Sequence, residues 1–161
     1  MNNELFVKMA TGNWQGEINA LNKLLDQLTD EDLGREIAPG RNRGIYLLGH
    51  LTAVHDMMLP LLRFGPSTHP ELKPVFVDVA DRVVAELPAP GQLRQQWKEV
   101  NDHLSEQIGS LPPQEWLTRH ASISEEDFQK EPHRNRLNVL LSRTNHAGYH
   151  RGQLALLKKR S

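Results

Sequence analysis

At 161 residues the chain is the size of one ordinary domain, long enough to bury a core and short of what two independent domains need. Its 19 basic and 20 acidic side chains leave a net charge of −1, so it has no broad electropositive field to hold a nucleic-acid backbone or an anionic membrane. The absence of cysteine excludes both a disulfide framework and a thiol nucleophile belonging to the chain itself.

The amino-terminal stretch "MNNELFVKMATGNWQGEI" lacks the basic and continuous apolar regions of a secretory signal, and a cytoplasmic location is expected. Four long segments carry helical periodicity and none shows sustained β-branched alternation, which predicts an all-α fold. The first helix is expected from about Asn3 to Gln27, with Leu5, Met9, Ile18, Leu21, Leu24, Leu25 and Leu28 as its apolar stripe. "TDEDLG" signals its end, and "APGRNRG" makes a turn. Asn42 is an N-cap candidate for a second helix that continues to about Phe64, before Gly65-Pro66. Its apolar run, "GIYLLGHLTAVHDMMLPLL", contains two histidines and an aspartate and ends at proline, so it reads as a buried helix rather than a bilayer span.

From Pro66 to Pro90 a proline-rich crossover follows, in which "VFVDVADRVVAEL" can form a short helix. A connection of that length suits a bundle whose neighbouring helices are parallel or displaced. Pro90 or Gly91 opens a third helix through about Ile108, with Leu93, Trp97, Val100, Leu104 and Ile108 at helical spacing. Residues 112–133 are expected to hold a short turn around "PQEWL" and then an acidic surface loop, "SISEEDFQKEP". Asn135 can cap the last helix, which is expected to reach about Lys159, where "LKKR" places cations at the negative end of the helix dipole.

Within that last helix, "NHAGYHRGQ" sets His146 and His150 four residues apart, a separation of about 40° around the axis and about 6 Å along it. Both rings therefore point the same way, in a sector with Val139, Gln153, Leu154 and Leu157. Imidazoles there need partners: a backbone carbonyl, a buried water, a solvent groove or a metal ion. The second helix places His50 among Tyr46, Leu47, Ala53, Val54, Met57 and Leu61, whereas His55 lies about 140° away around the axis. His50 is thus the better inward ligand, and His55 a candidate for a supporting or substrate-side role. Three inward imidazoles on two helices would form an open divalent site, which zinc suits and nickel, iron or copper can also fill. Ala147 follows His146, so the glutamate of the H-E-x-x-H metalloprotease pattern is missing.

With "GIYLLGHLTAVHD" in the second helix and "NHAGYHRGQ" in the fourth, the chain resembles the DinB-like superfamily, which includes bacillithiol and mycothiol S-transferases. The resemblance implies a single four-helix bundle domain of up-up-down-down topology, a divalent metal held by His50, His146 and His150, and often a homodimer. Arg151, Gly152 and Gln153 also match the motif. Gly152 is read as permitting close helix approach and Gln153 as a hydrogen-bond partner for an imidazole or a loop.

The activity implied is metal-dependent transfer of a low-molecular-weight thiol to an electrophile, zinc or nickel being the expected metal. A metal-dependent hydrolase using bound hydroxide and a non-catalytic, stress-response metal-binding protein are the alternatives. The partner expected is a small-molecule substrate, with neither nucleic acid nor membrane. Asp56, Glu99, Asp102 and His103 are titratable but read first as solvated surface, and Trp14, Tyr46, Trp97 and Tyr149 can line a pocket or belong to the core.

Overall fold

The apolar periodicity of the chain resolves into helices throughout the computed structural model, which describes residues 3–158. They are α1 (Asn3–Gln27), α2 (Asp30–Gly34), α3 (Gly44–Leu61), α4 (Lys73–Phe76), α5 (Pro90–Ser110), α6 (Glu125–Lys130) and α7 (Arg136–Ala155). Short 3-10 turns at Pro70–Leu72 and Pro113–Leu117 join them, and no strand forms among the described residues. No helix there is long and apolar enough to cross a membrane.

Helix boundaries follow local chemistry. After α1, Thr29 and Asp32 form a reciprocal capping box, each side chain accepting from the other's backbone N–H at 3.1 and 3.0 Å. "TDEDLG" thus ends one helix by starting another, α2, which the sequence reading did not foresee. The cap of α3 is Arg43 rather than Asn42, and it contributes no side-chain hydrogen bond to the first turn. The helix stops three residues before Phe64, because Pro60 sits in its last turn and Arg63 adopts the left-handed conformation at φ 60°. Phe64 N–H then reaches back to the Leu59 carbonyl at 2.8 Å and Arg63 N–H to Pro60 at 3.1 Å, a Schellman closure.

Two further expectations are corrected. "VFVDVADRVVAEL" does not form its own helix: the helical turns in the crossover are Pro70–Leu72 and α4, which takes in only its first two residues, Val75 and Phe76, and Pro70 and Pro74 supply N-terminal prolines. The acidic stretch stays on the surface but contains α6, which Ser124 caps by accepting from Asp127 N–H at 3.1 Å. Asn135 caps α7 as expected, accepting from Asn138 N–H at 2.9 Å. α7 ends at Ala155; Lys159 and the remainder of "LKKR" beyond Lys158 lie outside the described residues.

Contacts between the long helices set their directions. Arg94, at the start of α5, donates to the carbonyls of Leu25 and Leu28 at the end of α1, so these two run oppositely. Gly44 opens α3 against Leu157 just past the end of α7, whereas Ala121 N–H meets the Leu61 carbonyl where α3 finishes, so these two also run oppositely. α1 and α7 run the same way, since Phe6 and Met9 share a groove with Leu137 and Leu141 while Glu17, further along, pairs with Arg151. α3 and α5 both begin beside α2, where Leu33 meets Gly44 and Asp30 meets Arg94. The order is therefore up, down, down, up, which replaces the up-up-down-down arrangement.

The physical reason for this order is the length of each connection. Residues 28–43 fold back at one end of the bundle, whereas the crossover must climb the length of α3, about 27 Å, before α5 can begin. It does so as a strap antiparallel to α3. Asp56 accepts from Thr68 N–H, Thr68 Oγ1 and His69 N–H at 2.7–3.0 Å, Tyr46 donates to the Val79 carbonyl at 2.7 Å, and Arg43 pairs with Asp81 at 2.6 Å.

Buried apolar side chains from all four long helices form one contiguous cluster that includes Trp14, Leu21, Leu48, Leu51, Met58, Trp97, Leu104 and Leu140. His55 sits inside it, fully buried between Trp14 and Trp97 with ring centroids at 4.9 and 5.0 Å. Its Nδ1–H donates to Asn101 Oδ1 at 2.8 Å, because the Asn101 amide nitrogen is turned to the Trp97 carbonyl. Burial is the main reason its pKa falls from 6.5 to about 3.

That displacement has a defined sign. Above 6.5 the ring is neutral whether the chain is folded or not; as the pH drops from 6.5 towards 3, the unfolded chain binds a proton that folded His55 refuses. The thermal midpoint of the metal-free protein is therefore expected to decline across that interval. His55→Leu should make the decline shallower; an unchanged slope in a melting series against pH contradicts this account.

Candidate metal centre

The buried stripe of α7 runs through Leu140, Thr144, Ala147 and Leu154. His150 and His146 lie about 60° and about 100° round the helix from Ala147. They stand at the edge of the buried face, partly buried, rather than at its middle. α3 is buried nearly all round because α2, α4, α5 and α7 all pack against it. His50 faces α7, and His55 faces α1 and α5.

His50, His146 and His150 come together as a group that could hold a metal ion, each offering one ring nitrogen within 4.8 Å of the others. His146 Nε2 lies 3.2 Å from His50 Nε2 and 3.1 Å from His150 Nε2. The outer nitrogens of two rings are already committed. His50 Nδ1–H donates to the Phe76 carbonyl at 2.7 Å, and His150 Nδ1–H donates to Gln153 Oε1 at 2.7 Å. Gln153 is oriented for this by its amide nitrogen, 3.2 Å from the Tyr149 hydroxyl.

A neutral imidazole carries one N–H, so the Nε2 atoms of His50 and His150 present bare lone pairs. His146 can satisfy only one of them with a proton on Nε2, and with the proton on Nδ1 three lone pairs face one another. Its Nδ1 is itself buried without a partner among the described residues. Either way one polar atom is left uncompensated, which costs about 1–3 kcal/mol. A cation between the rings removes the conflict. Metal–nitrogen bonds of about 2.0–2.1 Å at tetrahedral angles imply nitrogen separations of about 3.3 Å, close to those found here.

The electrostatics favour the neutral ligands that a metal needs. Burial, followed by the neighbouring His150, His50 and Arg143, pushes the His146 pKa down to about 4. Burial also lowers that of His150, against the opposing pull of Gln153. Among the described residues, no carboxylate belongs to the group, which leaves three nitrogen donors and room for a further ligand. Tyr149 meets His150 edge-on at 5.1 Å, and Tyr46 stacks on His50 at 6.3 Å.

A model of the DinB superfamily matches residues 14–154. The chain belongs to the DinB superfamily. No curated protein matches it. The region matched contains all three histidines, most of α1 and the whole crossover.

The remaining sequence candidates divide in this DinB protein. Gln153 orients His150, and Arg151 ties α7 to Glu17 of α1. Gly152 does not mediate close approach, since a Cβ there meets nothing within 4 Å. His55 is a core residue outside the histidine group. Asp56 is buried and holds the strap, Glu99 binds His69, and Asp102 pairs with Lys98 on the surface. Trp14 and Trp97 belong to the core, Trp97 donating to Asn22 at 2.7 Å.

Two contributors escaped the sequence reading. The Phe76 carbonyl is backbone from the crossover, and no residue type advertises it. Gly49 lies under the Phe76 ring, where an added Cβ would overlap the ring carbons. A glycine in the interior of a helix next to a histidine was the available signal, because it costs about 1 kcal/mol against alanine unless something packs on it. Gly49→Ala is expected to displace Phe76, lowering stability by about 1–3 kcal/mol in denaturant titrations. It should also weaken metal retention, by freeing His50 Nδ1 from its acceptor; unchanged values in both measurements would refute the packing role.

Proposed function

We propose that this DinB protein is a metal-dependent enzyme that transfers a low-molecular-weight thiol, of the bacillithiol or mycothiol kind, to a small electrophile, with His50, His146 and His150 as metal ligands. The observation that carries the reading is the convergence of three Nε2 atoms whose outer nitrogens are held by Phe76 and Gln153 or buried. Zinc or nickel suits the three-nitrogen set. A divalent ion held there supplies Lewis-acid stabilisation of a thiolate.

The chain's own part is to bind and to exclude. Burial favours the neutral form of His146 and His150, the Phe76 carbonyl and Gln153 fix the tautomers of His50 and His150, and Tyr46 and Tyr149 flank the rings. Without cysteine, the nucleophilic sulfur has to come from outside. Among the described residues no carboxylate belongs to the histidine group, so the charge of a bound divalent ion would be left for an anionic further ligand such as a thiolate. We read the chain as one domain working in the cytoplasm on a small molecule, with a homodimer as its working state and neither nucleic acid nor membrane as partner. The near-neutral charge supports the last point.

Elemental analysis of untagged protein should find about one divalent ion per chain in the wild type, as expected for one ligand set. His50→Ala and His146→Ala should lose it, while His55→Leu keeps it. Equal metal in wild type and the first two variants means the cage is wrongly assigned. Gln153→Ala is expected to weaken metal affinity about 10- to 100-fold, the usual effect of removing a ligand's hydrogen-bond partner. Turnover of an electrophile should require added thiol; thiol-independent turnover would instead mark a hydrolase.

A further inference from the structure

One cation beside the three histidines lacks a counter-charge. Arg136 and Arg151, the other arginines of α7, approach Glu115 and Glu17. Arg143 has no carboxylate or other hydrogen-bond partner among the described residues, and its Nε is buried. It lies one turn before His146 and, seven residues from His150, within about 20° of that residue's direction around the helix. Glu17 of α1 is committed to Arg151, and Asp56 of α3 to the backbone and hydroxyl of the strap.

A half-buried guanidinium without a partner is costly, and an apolar side chain of similar volume would fill the space without that cost. Three neutral imidazoles add no negative charge, so a divalent ion and Arg143 together would leave a local excess of about three positive charges. A thiolate offsets one of these. The guanidinium calls for a second anion, and three residues of helix set the Arg143 and His146 backbone positions about 4.5 Å apart along the axis, within the reach of an arginine side chain.

We infer that Arg143 docks a carboxylate on the small thiol used at the three-histidine site. The inference rests on the metal-binding reading of that site. A carboxylate fits because a lone planar guanidinium, with its neighbours on α7 already engaged, matches a singly charged planar anion in bidentate fashion. Arg143 thereby selects the thiol and sets its orientation, and it is not a metal ligand.

The test uses the cobalt(II)-loaded full chain titrated with 3-mercaptopropionate and, separately, with 2-mercaptoethanol, following the visible absorbance of cobalt. Wild type is expected to bind the carboxylate-bearing thiol at least about tenfold more tightly, as a charge-assisted hydrogen bond would allow. Arg143→Met should abolish that preference while taking up cobalt normally and keeping its affinity for 2-mercaptoethanol. Arg143→Lys should restore part of it, and Arg143→Gln serves if the methionine variant folds poorly. Normal cobalt uptake with equal affinities in wild type, or a preference that survives in Arg143→Met or Arg143→Gln, overturns the docking role and leaves the metal centre standing. Failure of wild type to take up cobalt at all overturns the metal centre and this inference with it.

Discussion

His50, His146 and His150 bring ring nitrogens within hydrogen-bonding distance of one another, although at most one of the facing atoms can carry the proton that such a distance needs. The arrangement is self-repelling unless something positive stands between the rings. Burial closes the easy escape of protonation, holding His146 near a pKa of about 4. The rest of the site follows from that conflict. Phe76 and Gln153 take the outer protons of two rings, which leaves the inner lone pairs facing inward.

The strap formed by the crossover is the structural counterpart of that demand. A carbonyl must be presented to His50 from outside α3, since the carbonyls of the helix interior around it are occupied by its own ladder. Residues 62–89 pass along α3 and are held at both ends. Asp56 fixes the lower part through Thr68 and His69, and Arg43 fixes the upper part through Asp81. Burial alone would push the Asp81 carboxyl up, but the hydrogen bonds and charge of Arg43 more than offset it and hold it below the ordinary carboxylate range. Between these anchors Phe76 drops onto Gly49, the one place on that face of α3 where the helix offers no side chain, and its carbonyl meets His50.

The same crossover decides the order of the helices. By returning along α3 it makes α3 and α5 run the same way, and the shorter turn through α2 makes α1 and α3 run oppositely. α7 is then left to close the ring beside both α1 and α3, which is how histidines far apart in the chain come to face one another. Polar groups elsewhere in the interior serve packing: His55 and Asn101 satisfy each other between two tryptophans.

Helix content, the two long apolar faces, the Asn135 cap and the pairing of His146 with His150 were legible in the residues alone, because they depend on spacing along a single helix. The same reasoning ranked His50 above His55, the two pointing about 140° apart on one axis, and left the choice between them to the fold. Helix order was not legible, since it depends on where a long connection lies rather than on its composition. Nor were the Phe76 carbonyl, the role of Gly49 or the solitary state of Arg143, each of which is a relation between segments. Periodicity is a local property, and the chain determined by itself which faces were apolar and which nitrogens stood on them. Only the tertiary structure decided which atoms those nitrogens would meet, because hydrogen bonds and desolvation act across space, between residues that the sequence keeps far apart.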